Sequence, residues 1–411
     1  MRLPITYGAA DQSLIRKLNT SLILECLRIC NPLSRAQLAD RTGLNRSTVS
    51  NVTDQLLQDG LIREIGPAAS SKGRPGILLE LNPDGGCALG MEIGVGFISI
   101  IVTDFTAQIM WRQRVDFDTE NEPDTVIKWA EDLTRQALDV ISIHGSRPLG
   151  IGIGVPGRID HKEGTVLYAG NLNWRNVPIR QIWAERFGLS VFVENADNAA
   201  ALGEYYFDSI DHTDHAQNLV FLNISIGFGG GIVINGTLLR GRNGNAGEIG
   251  HMVMVPDGEL CSCGKRGCLQ TLVNSRVIVH RMQEVLGNKA EGELHMLAAS
   301  KLGRLDAEMI VQAAEEGDPV ARMVLEETGT HLGLGISSIV NALNPALVVL
   351  GGAFSLAGPF LLGVIDRTVR EHAIPESYQV LRIATSSHGP DACVMGAVAL
   401  VLDEFLREPI L

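Results

Sequence analysis

The chain has 411 residues, enough for two or three cored domains, and its net charge of −13 excludes a uniformly basic nucleic-acid coat. No apolar run approaches the ~20 residues that span a bilayer, and the opening MRLPITYGAADQ lacks a signal-peptide core. A cytoplasmic protein with reduced thiols and no membrane partner is therefore expected. The charge is uneven: residues 1–80 carry ten Lys/Arg against seven Asp/Glu, and the remainder 24 against 40. A mildly basic head on an acidic body points to a nucleic-acid-binding module joined to a second unit.

In residues 11–29, Leu14, Leu18 and Leu22 lie four apart with Ile15, Ile23 and Leu27 beside them, which predicts a helix with a broad apolar face. Asn31-Pro32 ends it. Ser34 can cap a second helix, RAQLADRT, which Gly43 stops. Asn45 or Ser47 opens a third, with Val49, Val52, Leu56 and Leu57 on its inner face. Short helix, glycine turn, then a helix with a polar first turn is the helix-turn-helix pattern. Its exposed side would present Arg46, Ser47, Thr48, Ser50 and Asn51 to phosphates and base edges. LIREIGP and GILLELNP flank the loop SSKGRPG and predict a wing, whose Arg74 suits a minor groove. The competing reading, a small helical protein-interaction module, lacks a reason for the basic balance, the wing and the polar third helix together.

Asn82-Pro83-Asp84-Gly85-Gly86 is a hinge by composition. Beyond it, β-branched strands alternate with helices, which predicts an α/β architecture. A strand–glycine–strand pattern occurs near 90–104 and again near 219–239, which points to two related halves with a cleft between them. The expected domains are 1–82, a first lobe over 86–204, and a second lobe over 205–411, with the last helix a candidate to pack back on the first lobe.

His251, Cys261, Cys263 and Cys268 fall within eighteen residues, spaced His-x9-Cys-x-Cys-x4-Cys. Imidazole and thiolate are the ligands of closed, structural tetrahedral zinc, and Gly264 and Gly267 allow the tight turns that gather three sulfurs. Buried free cysteines plus a surface histidine is the bland alternative; three of seven cysteines within eight residues speaks against it. Cys26, Cys30, Cys87 and Cys393 are isolated and read as ordinary buried cysteines. Gly152-x-Gly154-x-x-Gly157 fits a dinucleotide fingerprint, but Pro156 removes a donor and no helix signal follows.

Glu248-Ile-Gly-His251 followed by CSCGKRGC, GVPGR at 154–158, ENADNAAALGE at 194–204 and the winged helix-turn-helix with GRPG together resemble the ROK family of repressors and sugar kinases. The N-terminal stretch and ISIGFGGG are most similar to its xylose-repressor branch; the N-acetylglucosamine-repressor type shares the architecture. The resemblance implies an actin-like (ribonuclease H-like, hexokinase-type) two-lobed fold behind a winged head. By the same resemblance Gly157, Arg158, Asn195, Glu248 and His251 match sugar-contacting positions. Gln270 stands where the family carries a glutamate, and Asn171 is a weaker candidate. His251 would serve zinc through one nitrogen and a sugar hydroxyl through the other.

The departures weigh against catalysis. The kinases' Asp-x-Gly-Gly-Thr phosphate loop reads Glu92-Ile-Gly94-Val95-Gly96 here, and their Gly-Thr-Gly reads Ser225-Ile226-Gly227. Their Glu-Asn-Asp, whose aspartate is the general base, aligns with Glu194-Asn195-Ala196, and alanine accepts no proton. The expectation is a non-enzymatic, sugar-responsive repressor of carbohydrate-utilisation genes. It would be a homodimer or homotetramer on double-stranded operator DNA, with xylose or another mono- or amino sugar as effector, structural zinc and no use of ATP. An ATP-dependent sugar kinase with a DNA-binding head is the alternative, and a zinc-stabilised scaffold that binds no sugar is a third reading.

Overall fold

The computed structural model describes residues 12–67, 76–118, 122–207, 217–287 and 305–408. The head holds helices α1 (Gln12–Ile29), α2 (Arg35–Thr42) and α3 (Arg46–Gln58). Local chemistry sets their ends. Ser34 Oγ accepts from Gln37 N while Gln37 Oε1 accepts from Ser34 N at 2.8 Å, a reciprocal capping box. Gly43, at φ 70°, ends α2 in the left-handed region. Asn45 caps α3 by accepting from Thr48 N at 2.8 Å. The Arg35 guanidinium then bridges α3 and the wing, pairing Asp54 at 2.9 Å and Glu64 at 3.2 Å.

Strands β1 (Leu33–Ser34), β2 (Ile62–Pro67) and β3 (Ile77–Leu81) form a sheet in the order β1-β3-β2. The tip joining β2 to β3, with Arg74, lies outside the described residues. One expectation fails on α1. Leu14, Ile15, Leu18 and Leu22 are exposed, and the buried face is Thr20, Ile23, Leu24 and Leu27. Of the expected apolar face, Ile23 and Leu27 enter the core, whereas the Leu14–Leu18–Leu22 stripe stays outside it.

The expected hinge is a packed turn. A Cβ on Gly85 would lie 2.9 Å from the Phe105 ring, and one on Gly86 2.5 Å from Leu149. Asn82 donates to Gly60 O at 2.7 Å, and Phe105 N to Pro83 O at 3.2 Å. The glycines here serve close approach instead of freedom.

The body holds two five-stranded sheets of one topology. The first joins β4 (Cys87–Gly94), β5 (Phe97–Thr103), β6 (Ile109–Asp116), β7 (Pro148–Val155) and β11 (Val191–Asn195) in the order β11-β7-β4-β5-β6. The second joins β12 (Leu219–Ile224), β13 (Phe228–Ile234), β14 (Thr237–Leu238), β15 (Leu347–Gly352) and β16 (Arg382–Thr385) in the order β14-β13-β12-β15-β16. In each, three strands meander antiparallel and two add in parallel. The repeated hairpins β4–β5 and β12–β13 are the glycine-marked pair expected from the sequence. A small sheet of β8 (Arg158–Asp160), β9 (Thr165–Ala169) and β10 (Trp174–Val177) flanks the first lobe.

Helices α4 (Pro123–Ile143) and α5 (Ile179–Phe187) belong to the first lobe, and α6 (Ala196–Phe207) follows β11. The second lobe adds α7 (Gln270–Val273), α8 (Ser275–Gly287), α9 (Ala307–Glu316), α10 (Pro319–Leu343), α11 (Pro359–His372) and α12 (Pro375–Gln379). The last helix, α13 (Ala392–Arg407), packs on β4, β7 and α6, while α6 packs on β12 and β13. The α6–α13 pair is thus the layer between the two sheets. The head shares a core with it: Ile23, Leu24, Leu27, Val49 and Leu56 cluster with Leu202, Tyr206, Leu402 and Phe405.

Candidate functional site

The loop after β14 folds back through the short 3-10 turn Ile249–His251 and carries the four predicted metal ligands together. One ligand atom from each of His251, Cys261, Cys263 and Cys268 lies within 4.8 Å of the others. Cys261 Sγ is 3.6 Å from His251 Nδ1, and Cys263 Sγ is 3.7 Å from Cys268 Sγ. A tetrahedral zinc with Zn–S of about 2.3 Å and Zn–N of about 2.0–2.1 Å has S···N edges of ~3.6 Å and S···S edges of ~3.8 Å. The donor set therefore fits such an ion. Gly267 permits the turn: at φ 72° its absent Cβ would fall 1.5 Å from Val255 O. Burial pushes the Cys261 thiol up, but bonds from the Cys263 amide and from its thiol and imidazole neighbours outweigh it and leave it at about 6. Burial beside the other two thiols raises Cys268 to about 12. Cys261 and Cys268 are thus driven in opposite directions, and a divalent cation between them removes that conflict.

The ring of His251 has its other face to the cleft, with Nε2 3.7 Å from Glu248 Oε2. The cleft between the lobes has a volume of about 1040 Å³. Gly157, Asn171, Asn195, Glu248, His251 and Gln270 all line it. Arg158 does not, and it is exposed. It sits on β8, where side chains alternate, and the inward position goes to the buried Ile159. Arg158 is thus exposed beside Gly157 without being among the residues that line the cleft.

Asn195 is placed by its own bonds. Its Oδ1 accepts from Asp197 N at 2.9 Å and Asn198 N at 3.1 Å, capping α6, and its Nδ2 donates to Gly157 O at 2.8 Å. One amide hydrogen remains for a ligand hydroxyl. Gln270 behaves differently from a free cleft amide. Its Nε2 donates to Cys261 Sγ at 2.9 Å and Ser262 Oγ at 3.0 Å. Its donors thus serve the metal cluster, and its Oε1 is the atom left for the cleft.

Asp197 and Asn223, to which the sequence reading gave no place in the site, also line the cleft. Asn223 donates to Asp197 Oδ1 at 2.7 Å. That bond turns the Asp197 carboxylate toward the β12–β13 hairpin, where a Cβ on Gly229 would meet it at 1.8 Å. Burial raises Asp197 to about 6, with the Asn223 bond opposing and Glu248 adding to the rise. Glu92, in the altered phosphate loop, reaches about 8, first through burial and then through the Asp197 charge. Behind the cleft, Arg240 of the second lobe donates to Glu194 of the first at 2.6 Å. These pairs join residues 26 and 46 positions apart, and no local pattern marks them.

A family model for ROK matches residues 88–404, which spans both lobes and the site just described. The chain belongs to the ROK family. A model for the MarR family matches residues 18–64, within the head. The xylose repressor of Caldicellulosiruptor bescii is 32% identical over 399 residues, covering 97% of this chain and 99% of that protein. The crystal structure of a ROK family transcriptional regulator, a homologue of the E. coli Mlc protein, aligns with TM-score 0.80 and 28% identity, over 96% of this chain and 97% of that one. A ROK family glucokinase from Streptomyces griseus, solved with glucose and AMPPNP, aligns with TM-score 0.66 and 31% identity, over 77% of this chain and 99% of that one. The ROK lobes are thus shared by regulators and kinases, and the regulator match extends over the head.

In this ROK chain the outer surface of α3 presents Arg46, Ser47 and Asn51 as exposed side chains, with Thr48 and Ser50 half-buried. Ser47 Oγ donates to Asn45 Oδ1 at 2.7 Å, so part of its polarity is spent on the cap. Arg46 forms no ion pair among the described residues.

Proposed function

We propose that this chain is a sugar-responsive transcriptional repressor of carbohydrate-utilisation genes, with the effector sugar bound in the interlobe cleft. The observation that carries the reading is one continuous ROK chain in which a capped helix-turn-helix head shares a core with the layer between the lobes. Its similarity to a xylose repressor over 97% of the chain supports the sugar class. Arg46, Ser47, Thr48, Ser50 and Asn51 of α3 contact the operator, and Arg74 of the wing tip reaches the adjacent minor groove. A symmetric homodimer or homotetramer sets two heads on a palindromic site.

Gly157, Asn195, Glu248 and His251 hold the sugar, and Gln270 borders it. Zinc on His251, Cys261, Cys263 and Cys268 fixes the wall that carries His251; its chemistry here is structural. Sugar binds one lobe arrangement more tightly and lowers operator affinity by that differential. The test selects a duplex from a random pool with the full-length protein, then measures its affinity with and without D-xylose, D-glucose and N-acetylglucosamine.

A sugar kinase with a DNA-binding head is the second reading, favoured by the glucokinase likeness and by a cleft that continues to Gly94, Val95, Ser225 and Gly227. Ala196 at the general-base position opposes it, as does Asp197 being tied to Asn223. Turnover near 1 per second in a coupled ADP-release assay would establish it.

A further inference from the structure

Helix α6 begins in the cleft and ends in the head. Its cap, Asn195, bonds Gly157 O across the cleft floor, and its last turn carries Tyr206 into the core that holds Ile23, Leu24 and Leu27 of α1. Its 12 residues span ~18 Å. The helix has little slack along that length. A Cβ on Gly203 would lie 2.8 Å from Gly396 Cα of α13, and one on Gly396 1.9 Å from Ala199 O. On the other side a Cβ on Gly231 of β13 would meet Asp197 O at 2.4 Å. Backbones in such contact displace as a body instead of bending.

At the far end Arg28 of α1 grips the helix terminus. Its Nη1 donates to Tyr206 O at 2.6 Å, and its guanidinium carbon lies 4.0 Å from the Tyr206 ring centroid. Glu25 holds Arg28 Nε at 2.9 Å, and the arginine side chain is 13% exposed. A cation on the last carbonyls of a helix is also favoured by its dipole. From α1 the contact continues to α3 through their common core. The packed turn at 82–86 leaves the head no loose tether to absorb a displacement.

We propose that α6 is the rod that carries the state of the cleft to the DNA head, and that Arg28 is the positioning residue that couples them. The inference rests on the repressor reading above and names the element and the contact through which it works. Small shifts at Asn195 are transmitted along α6 and reorient α1, and with it the recognition helix.

The test uses full-length protein and the duplex selected by wild type, with whichever of D-xylose, D-glucose and N-acetylglucosamine changes wild-type operator affinity most. Operator Kd is measured with and without that sugar, and sugar Kd by calorimetry, for wild type, Arg28→Ala, Arg28→Lys and Tyr206→Phe. Coupled sites shift one another by about 5–150-fold. In Arg28→Ala that shift falls toward 1 while sugar Kd stays within about 2-fold of wild type, because the cleft is untouched. Arg28→Lys keeps the charge but loses the planar stack, and responds in between. Tyr206→Phe keeps the ring and the carbonyl and responds as wild type. A lysine variant that binds operator and responds in full overturns the relay, whatever becomes of the alanine variant. A wild-type protein indifferent to every sugar overturns the repressor reading itself, and the relay with it.

Discussion

Arg240 and Glu194 join the two lobes through a 2.6 Å charge-assisted bond, with side chains 29% and 4% exposed. The remaining Glu194 oxygen accepts from Asn195 N at 3.0 Å and Asn198 Nδ2 at 3.2 Å. The pair therefore braces the segment that places Asn195 and starts α6. Arg240→Ala leaves a buried carboxylate without its partner, a loss of about 3–5 kcal/mol for pairs of this kind. Thermal unfolding of Arg240→Ala should show a large drop in Tm, and adding Glu194→Gln should recover part of it. Equal stability of wild type and the single variant would remove the brace from the account.

Gln270→Glu tests the metal wall. The native amide donates to Cys261 Sγ at 2.9 Å; an ionised carboxylate has no hydrogen to give and adds negative charge beside three sulfurs. Groups that support metal ligands change affinity by about 10–100-fold when replaced. Competition with a chromogenic chelator should show zinc lost at correspondingly lower chelator concentration from Gln270→Glu. Unchanged retention would mean that the amide contributes nothing to the site.

Glu92 gives a pH signature of defined sign. Its folded value is raised to about 8 from 4.5 by burial first and by Asp197 second, against the opposing charge of Arg114. The unfolded chain releases this proton first, so the contribution is fully present below about pH 4.5 and lost as pH rises to about 8. Asp197, raised to about 6, adds a change of the same sign that is complete earlier. Glu92→Gln should match wild type in Tm near pH 4.5 and exceed it progressively toward pH 8. Parallel curves over that range would contradict the assignment.

On the operator, Arg46→Ala should weaken binding about evenly across duplex sequences and reduce the salt slope by about 1, as loss of one phosphate contact does. Asn51→Ala should instead relax sequence preference at one position at a cost of about 1–3 kcal/mol. Binding titrations at several salt concentrations on selected and scrambled duplexes separate the two. An Arg46→Ala protein with wild-type affinity and slope would move the DNA contact off this end of α3.

Features set by neighbours in the chain were legible from the sequence. The Ser34 cap, the Gly43 stop, the Asn45 cap and the metal-ligand spacing all follow from residues within eighteen positions of one another. The two-half organisation was legible because glycine marks both hairpins. What failed depends on contacts made far along the chain. The exposed Leu14–Leu18–Leu22 stripe obeys helical periodicity, yet α1 buries Thr20, Ile23, Leu24 and Leu27. Gly85 and Gly86 look like a flexible tether and are packed against Phe105 and Leu149. Arg158 matches a sugar-contacting position by resemblance, but it is not among the residues that line the cleft. The Glu194–Arg240 and Asp197–Asn223 pairs have no local signature.

In the proposed function, sugar in the ROK cleft controls the grip of the head on DNA. The most direct measurement is the affinity of the wild-type, zinc-loaded protein for its selected duplex across a titration of D-xylose, D-glucose and N-acetylglucosamine. At least one of these should weaken binding by about 5–150-fold, and Asn195→Ala should abolish the effect. Operator affinity unchanged at saturating concentrations of all three, with the same protein taking up sugar in calorimetry, would contradict it.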